Sequence, residues 1–175
     1  SWKMRSRDGI GTEPFFLDKI ANHPRMRTLV SLFIGEPVKR AKRARGVYAQ
    51  FPKPPGTEGR LSPHADHTAG HLAAMVFVDD VPPRCGGFTI WPGSHLLLHP
   101  YWDTIQSGAI GPDRAAEYAK ARDAAVNDIT PLEFSGDAGD VIFWHPRLLH
   151  SAGINFSADH DRQVLRLIVP CDYQL

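Results

Sequence analysis

From Val47 onward the chain is a series of short runs rich in β-branched and aromatic residues, each ended by Gly, Pro or Asp, and this texture limits the fold more than any other feature. Eight such runs are legible, at 47–51, 60–66, 72–78, 87–91, 132–135, 140–145, 148–153 and 163–171. Many short strands separated by turn residues predict a sandwich, barrel or jelly roll. Eight is the strand number of a jelly roll. The expectation is therefore an all-β core with flanking helices, with a jelly roll (double-stranded β-helix) among the architectures that eight strands allow.

The helices are read from two other stretches. Met26, Leu29, Val30 and Phe33 fall at the i, i+3, i+4, i+7 spacing of one helix face. Pro24 suits that helix's first turn and Gly35 its end. A shorter helix at 15–21 precedes it, with Thr12 as candidate cap. This first third, 1–46, reads as a helical buttress for a core spanning 47–175. Residues 112–127 (PDRAAEYAKARDAAVN) are alanine-rich and charged and predict an exposed helix. They belong to an insertion at about 101–130 that interrupts the strands between the fourth and the fifth. PKPPGTEG, at 52–59, reads as a rigid loop between strands rather than a linker. The whole chain of 175 residues has the length of one domain with a real core.

Composition excludes several classes. Hydrophobic residues at 42% and charged residues at 22% describe a globular chain rather than a disordered one. A net charge of +1 argues against general affinity for nucleic acid, whose binders are strongly basic. No apolar run has membrane-spanning length, and the start lacks a signal-peptide pattern. Two cysteines, Cys85 and Cys171, make neither a disulfide framework nor a paired zinc motif, so a reduced, cytoplasmic setting is the default.

The chemistry concentrates in SPHAD. His64 and Asp66 stand two apart on an expected strand, where i and i+2 project to the same side. An imidazole and a carboxylate on one face form two legs of a metal site. A third ligand from a distant strand would complete the two-His-one-carboxylate arrangement, which leaves positions open for substrate and oxygen. H-x-D alone is a common pattern, and a surface His near an Asp is its everyday meaning. His67 and His71 are spaced like a helical zinc pair, but HTAGH lacks the glutamate base that hydrolytic zinc helices carry.

Support comes from the C-terminal third, where a strand, a sharp turn and a second strand bearing His150 precede a loop and a further strand. Here the sequence resembles the phytanoyl-CoA dioxygenase family of iron(II)- and 2-oxoglutarate-dependent oxygenases. The resemblance is carried by KPPG before SPHAD, by GGFTIWPGSH, by GDVIFWHPRLLHSAGIN and the arginine after it, and by the helical start HPRMRTLVSLFIGEPVK. It covers nearly the whole chain, with the motifs in order.

Position by position, the resemblance implies His64, Asp66 and His150 as iron ligands. His145, five residues earlier, is the rival for the third place; Gly153 and Asn155 match the family pattern after its ligand histidine and favour His150. Arg162 matches the arginine that anchors the far carboxylate of 2-oxoglutarate, a role suited to a planar, always charged fork. Arg166 is the alternative on the same face, and the shorter distance from His150 favours Arg162. Met75 falls where the family often has an aromatic residue beside the co-substrate. The family's serine two residues after the distal histidine is Ala152 here, with Ser151 beside it. Met75 and Ser151 are thus the remaining expected co-substrate contacts. His95 matches a structural turn of the family.

The implied activity is a dioxygenase using Fe(II), 2-oxoglutarate and O2 to hydroxylate a small-molecule substrate, releasing succinate and CO2. A retained carboxylate at Asp66 favours hydroxylation over halogenation, because related halogenases replace it with a small residue. Two other readings share the fold. One is a cupin-like metal oxygenase or isomerase that does not use 2-oxoglutarate; the other is a non-catalytic binding module retaining the barrel. Succinate production and 2-oxoglutarate consumption separate them. The basic run Lys39, Arg40, Lys42, Arg43 and Arg45 is either an anion site or, more commonly, a solvated helix face. Family members are often longer at the N-terminus. Neither the substrate nor the oligomeric state follows from the sequence; 50–59 and 101–127 are the segments expected to choose the substrate.

Overall fold

The computed structural model describes residues 2–5, 9–66, 70–102, 111–159 and 163–175. Among the described residues eight strands form two antiparallel sheets. The first sheet holds β1 (Trp2–Arg5), β2 (Gly46–Gln50), β8 (Arg166–Tyr173), β3 (Leu72–Phe77) and β6 (Val141–Trp144), in that order. The second holds β5 (Leu132–Phe134), β4 (Phe88–Ile90) and β7 (His150–Ala152). Among the described residues four α-helices flank them: α1 (Pro14–Lys19), α2 (Pro24–Ile34), α3 (Ser94–Leu98) and α4 (Pro112–Asp128). This is the expected all-β core with flanking helices, a double-stranded β-helix.

Strand parity explains the layering. On β3, Ala73, Met75 and Phe77 pack toward the second sheet with Phe88, Trp144 and Ile168, while Leu72, Ala74 and Val76 face the opposite way. On β8, Val169, Cys171 and Tyr173 share that outer face. Leu17, Met26 and Val30 of α1 and α2 pack against it. A third cluster, with Trp91, Leu98, Trp102, Ala125 and Leu149, packs α3 and α4 behind the second sheet. The order of layers is helices, sheet, sheet, helices, and the space between the sheets is where β7 and β8 bring polar side chains inward. No helix among the described residues is long and apolar enough to cross a membrane.

Four expectations need correction. The first residues are not purely helical: Trp2–Arg5 pairs antiparallel with β2, Trp2 opposite Ala49. Residues 60–66 do not form a strand. Pro63 has no N–H to give, and the segment makes one bridge, His64 with His150. Thr12 does not cap α1; it lies in a short 3-10 turn and its hydroxyl donates to the Gly9 carbonyl at 2.8 Å, while Glu13 occupies the cap position. The α2 stripe is only half buried: Met26 and Val30 are covered, whereas Leu29 is 45% and Phe33 65% exposed. The other helix signals hold. Pro24 opens α2, Gly35 ends it with φ 86°, and the alanine-rich helix runs Pro112–Asp128.

Candidate metal centre

His64, Asp66 and His150 meet between the sheets, and their ligand atoms all lie within 4.8 Å of one another. The meeting is enforced by backbone. The His64 N–H donates to the His150 carbonyl at 3.0 Å, and the His150 N–H returns a bond to the His64 carbonyl at 2.9 Å. Asp66 is fixed by its own N–H, which donates to the Pro146 carbonyl at 3.0 Å. The strand that was expected at 60–66 is therefore unnecessary; one two-bond bridge brings the i and i+2 side chains to the distal histidine.

Each imidazole is held by its second nitrogen. His64 Nδ1 lies 2.8 Å from the Ser62 carbonyl and His150 Nδ1 2.8 Å from the Leu148 carbonyl. A carbonyl can only accept, so Nδ1 carries the proton in both rings and Nε2 is the nitrogen with a lone pair to offer a metal. The rings are 4.6 Å apart, centroid to centroid. His150 Nε2 is 3.5 Å from Asp66 Oδ2. Burial alone would push the Asp66 carboxyl up, but His150 and Arg45 outweigh it and hold the group well below the usual carboxylate range. It is a carboxylate at any working pH. His145 is not in this cluster; its ring lies 6.4 Å from that of His95, and its Nδ1 accepts from the Arg147 N–H at 3.2 Å.

A cavity of about 420 Å³ runs inward from His64 and His150. Met75, Phe88, Trp144 and Ser151 line it, together with Arg166 from β8. Arg166 is 2% exposed, and its Nε and Nη1 make no hydrogen bond among the described residues. Burial lowers its pKa to about 10, with Glu133 opposing the shift. A buried guanidinium with idle donors is costly unless an anion completes it. Arg162 and His67 lie outside the described residues. Met75 is buried and lines the cavity wall. Ser151 also lines the cavity, and its hydroxyl already has two partners: it donates to the Ala152 carbonyl at 2.8 Å and accepts from the Ser62 N–H at 3.0 Å. That pair ties the SPHAD segment to β7.

Two further residues bear on the site. Asn155 braces the turn between β7 and β8, its Nδ2 donating to the carbonyls of Gln50 and Val164 and its Oδ1 accepting from the Ser157 N–H. Arg45, read from sequence only as the end of a basic run, reaches the metal ligands: its Nη2 is 2.7 Å from Asp66 Oδ2. The run itself does not act as one patch. Arg40 pairs with Asp18 at 2.6 Å, and Lys39 hydrogen-bonds the carbonyl of Leu175.

Two facing antiparallel sheets with a His–Asp–His cluster on the inner side define a double-stranded β-helix built to hold a metal. The family model for phytanoyl-CoA dioxygenase (PhyH) matches residues 6–164, and the chain belongs to that family. Solved structures agree on the fold. The epimerase SnoN, in complex with Fe3+, alpha ketoglutarate and nogalamycin RO, is 26% identical with a TM-score of 0.59, covering 92% of this chain and 62% of SnoN. AviO1 from Streptomyces viridochromogenes Tue57 is 20% identical with a TM-score of 0.59, over 90% of this chain and 60% of its own. EctD from S. alaskensis, with 2-oxoglutarate and 5-hydroxyectoine, is 18% identical with a TM-score of 0.57, over 92% and 52%. The chain thus spans less than two thirds of the length of these structures. No curated protein matches the sequence.

Proposed function

We propose that this chain is an iron(II)- and 2-oxoglutarate-dependent oxygenase that hydroxylates a small organic substrate. The observation that carries the reading is the pairing of two features: the His64–Asp66–His150 cluster, whose two imidazoles line the cavity, and a buried Arg166 on the same cavity's wall with donors left unmatched among the described residues. The donor set fits the metal. Two neutral imidazoles and one carboxylate, grouped on one side, are the ligands of non-haem iron oxygenases. SnoN binds iron and α-ketoglutarate in its structure, and EctD binds 2-oxoglutarate.

His64 and His150 would each ligate through Nε2 and Asp66 through Oδ2. The arginine of the C-terminal strand would take the far carboxylate of 2-oxoglutarate in a charge-assisted fork. Arg166 fits this by burial and idle donors; Arg162 is tested beside it. With iron(II) and 2-oxoglutarate bound, the site would supply oxidation by O2, with succinate and CO2 as co-products. The chain's own work is positioning and shielding. The Nδ1–carbonyl bonds fix the ring planes, and Phe88, Trp144 and Met75 keep the inner wall apolar.

The experiment is turnover of 2-oxoglutarate by the iron-loaded chain, read as succinate formed, in wild type and in Arg166→Gln and Arg162→Gln. The expected result is succinate from wild type and, in Arg166→Gln, a KM for 2-oxoglutarate raised at least about tenfold with iron content unchanged. Turnover of substrate without succinate would favour the cupin-like reading instead.

A further inference from the structure

Arg45 is joined to two carboxylates at once. Its Nη2 donates to Asp66 Oδ2 at 2.7 Å, and its Nε donates to Asp172 Oδ2 at 2.8 Å. The same Nη2 also donates to Asp172 Oδ1, so the guanidinium grips Asp172 through two nitrogens and spares one hydrogen for Asp66. The Arg45 backbone is fixed too, its N–H donating to the Pro170 carbonyl at 2.9 Å. Both Pro170 and Asp172 belong to β8, the middle strand of the five-stranded sheet.

Asp66 needs this support. It lies outside any strand, two residues after the single bridge, and a carboxylate on a short stem turns freely about its last bond. The oxygen that Arg45 touches is the one that faces His150 Nε2 at 3.5 Å. Neither imidazole requires such help, since each has a carbonyl on its Nδ1.

We propose that Arg45 and Asp172 form a clamp that sets the orientation of the Asp66 carboxylate and so the metal affinity of the site, although neither touches the metal. Arg45 and Asp172 are positioning residues, and their role rests on the metal-centre reading above. The clamp differs from simple charge balance in what it predicts. If Arg45 only neutralised Asp66 until a cation arrived, it would compete with the metal, and removing its charge would tighten binding. If it orients Asp66, any change that keeps charge but loses the planar two-nitrogen grip weakens binding.

The test is Mn(II) affinity of the whole chain, measured from free Mn(II) by electron paramagnetic resonance, in wild type, Arg45→Lys, Arg45→Met, Asp172→Asn and His150→Ala. Thermal unfolding of each metal-free variant checks that it folds. A second readout is the visible spectrum of bound Co(II), which reports ligand geometry and which a distant loss of stability leaves alone. The clamp predicts Mn(II) binding about 10- to 100-fold weaker in both Arg45→Lys and Asp172→Asn, with an altered Co(II) spectrum in each. Wild-type affinity and spectrum in those two variants, or tighter Mn(II) binding in Arg45→Met, overturn the clamp while the metal centre stands. Binding that is absent in wild type, or untouched by His150→Ala, overturns the metal centre and the clamp with it.

Discussion

The behaviour of single residues here follows from whether burial is compensated. His150 is buried with a carbonyl on its Nδ1, His64 is exposed, and the partly buried Asp66 is kept ionised by His150 and Arg45. At Cys171 the compensation from Arg45 and Tyr173 falls short. It is fully buried on the outer face of β8, and burial, with Asp172 adding to it, pushes its thiol up to about 12. An unfolded chain would lose that proton near the ordinary thiol pKa of about 8.5. The folded pKa is raised, so this group's contribution is whole below about pH 8.5 and declines as pH climbs toward 12. Urea unfolding at pH 7.5, 9 and 10 should show stability falling across that series, with a shallower fall in Cys171→Ala. An equal fall in both would mean that other groups, such as the likewise raised Tyr173, carry the effect.

At the scale of elements, the site depends on the close approach of β7 to β4. The Gly153 N–H donates to the Gly87 carbonyl at 2.6 Å, and a Cβ on Gly153 would stand 2.4 Å from that oxygen. Gly153→Ala must therefore push the strands apart just past His150 and Ser151. We expect a loss of about 1–3 kcal/mol of stability by urea titration, together with weaker metal binding. Gly111→Ala, where a Cβ would meet nothing within 4 Å, should be neutral within about 0.5 kcal/mol. Strand texture made the runs at 72–78 and 163–171 legible in advance, while their inward faces follow from the pairing of β3 with β6 and β8. It was less informative at the edges. WKMR is too short and too charged to read as a strand, yet β2 offers it a partner edge. The 60–66 segment looked like a strand because its residues alternate, but its function needs only one bridge.

For the molecule as a whole, four layers place the ligands at the one interface that both sheets share. His150 comes from the smaller sheet, Arg166 from the larger, and the SPHAD segment is bridged to the smaller one through His64 and His150. The triad could be inferred from the family motifs because its members are spaced in a fixed order. Arg45 could not, because it stands 21 residues before Asp66 in a run of basic residues whose other members turn elsewhere. Its role exists only after β2 pairs with β8 and brings Asp172 within reach. The central claim is that three side chains from distant parts of the chain hold one iron ion and leave room for 2-oxoglutarate beside it. Its most direct test is anaerobic addition of iron(II) and then 2-oxoglutarate to the metal-free chain, followed by visible absorption. The account predicts a weak charge-transfer band that saturates at one equivalent of iron and is lost in His150→Ala. A chain that binds iron but gives no band with 2-oxoglutarate, or keeps the band without His150, contradicts it.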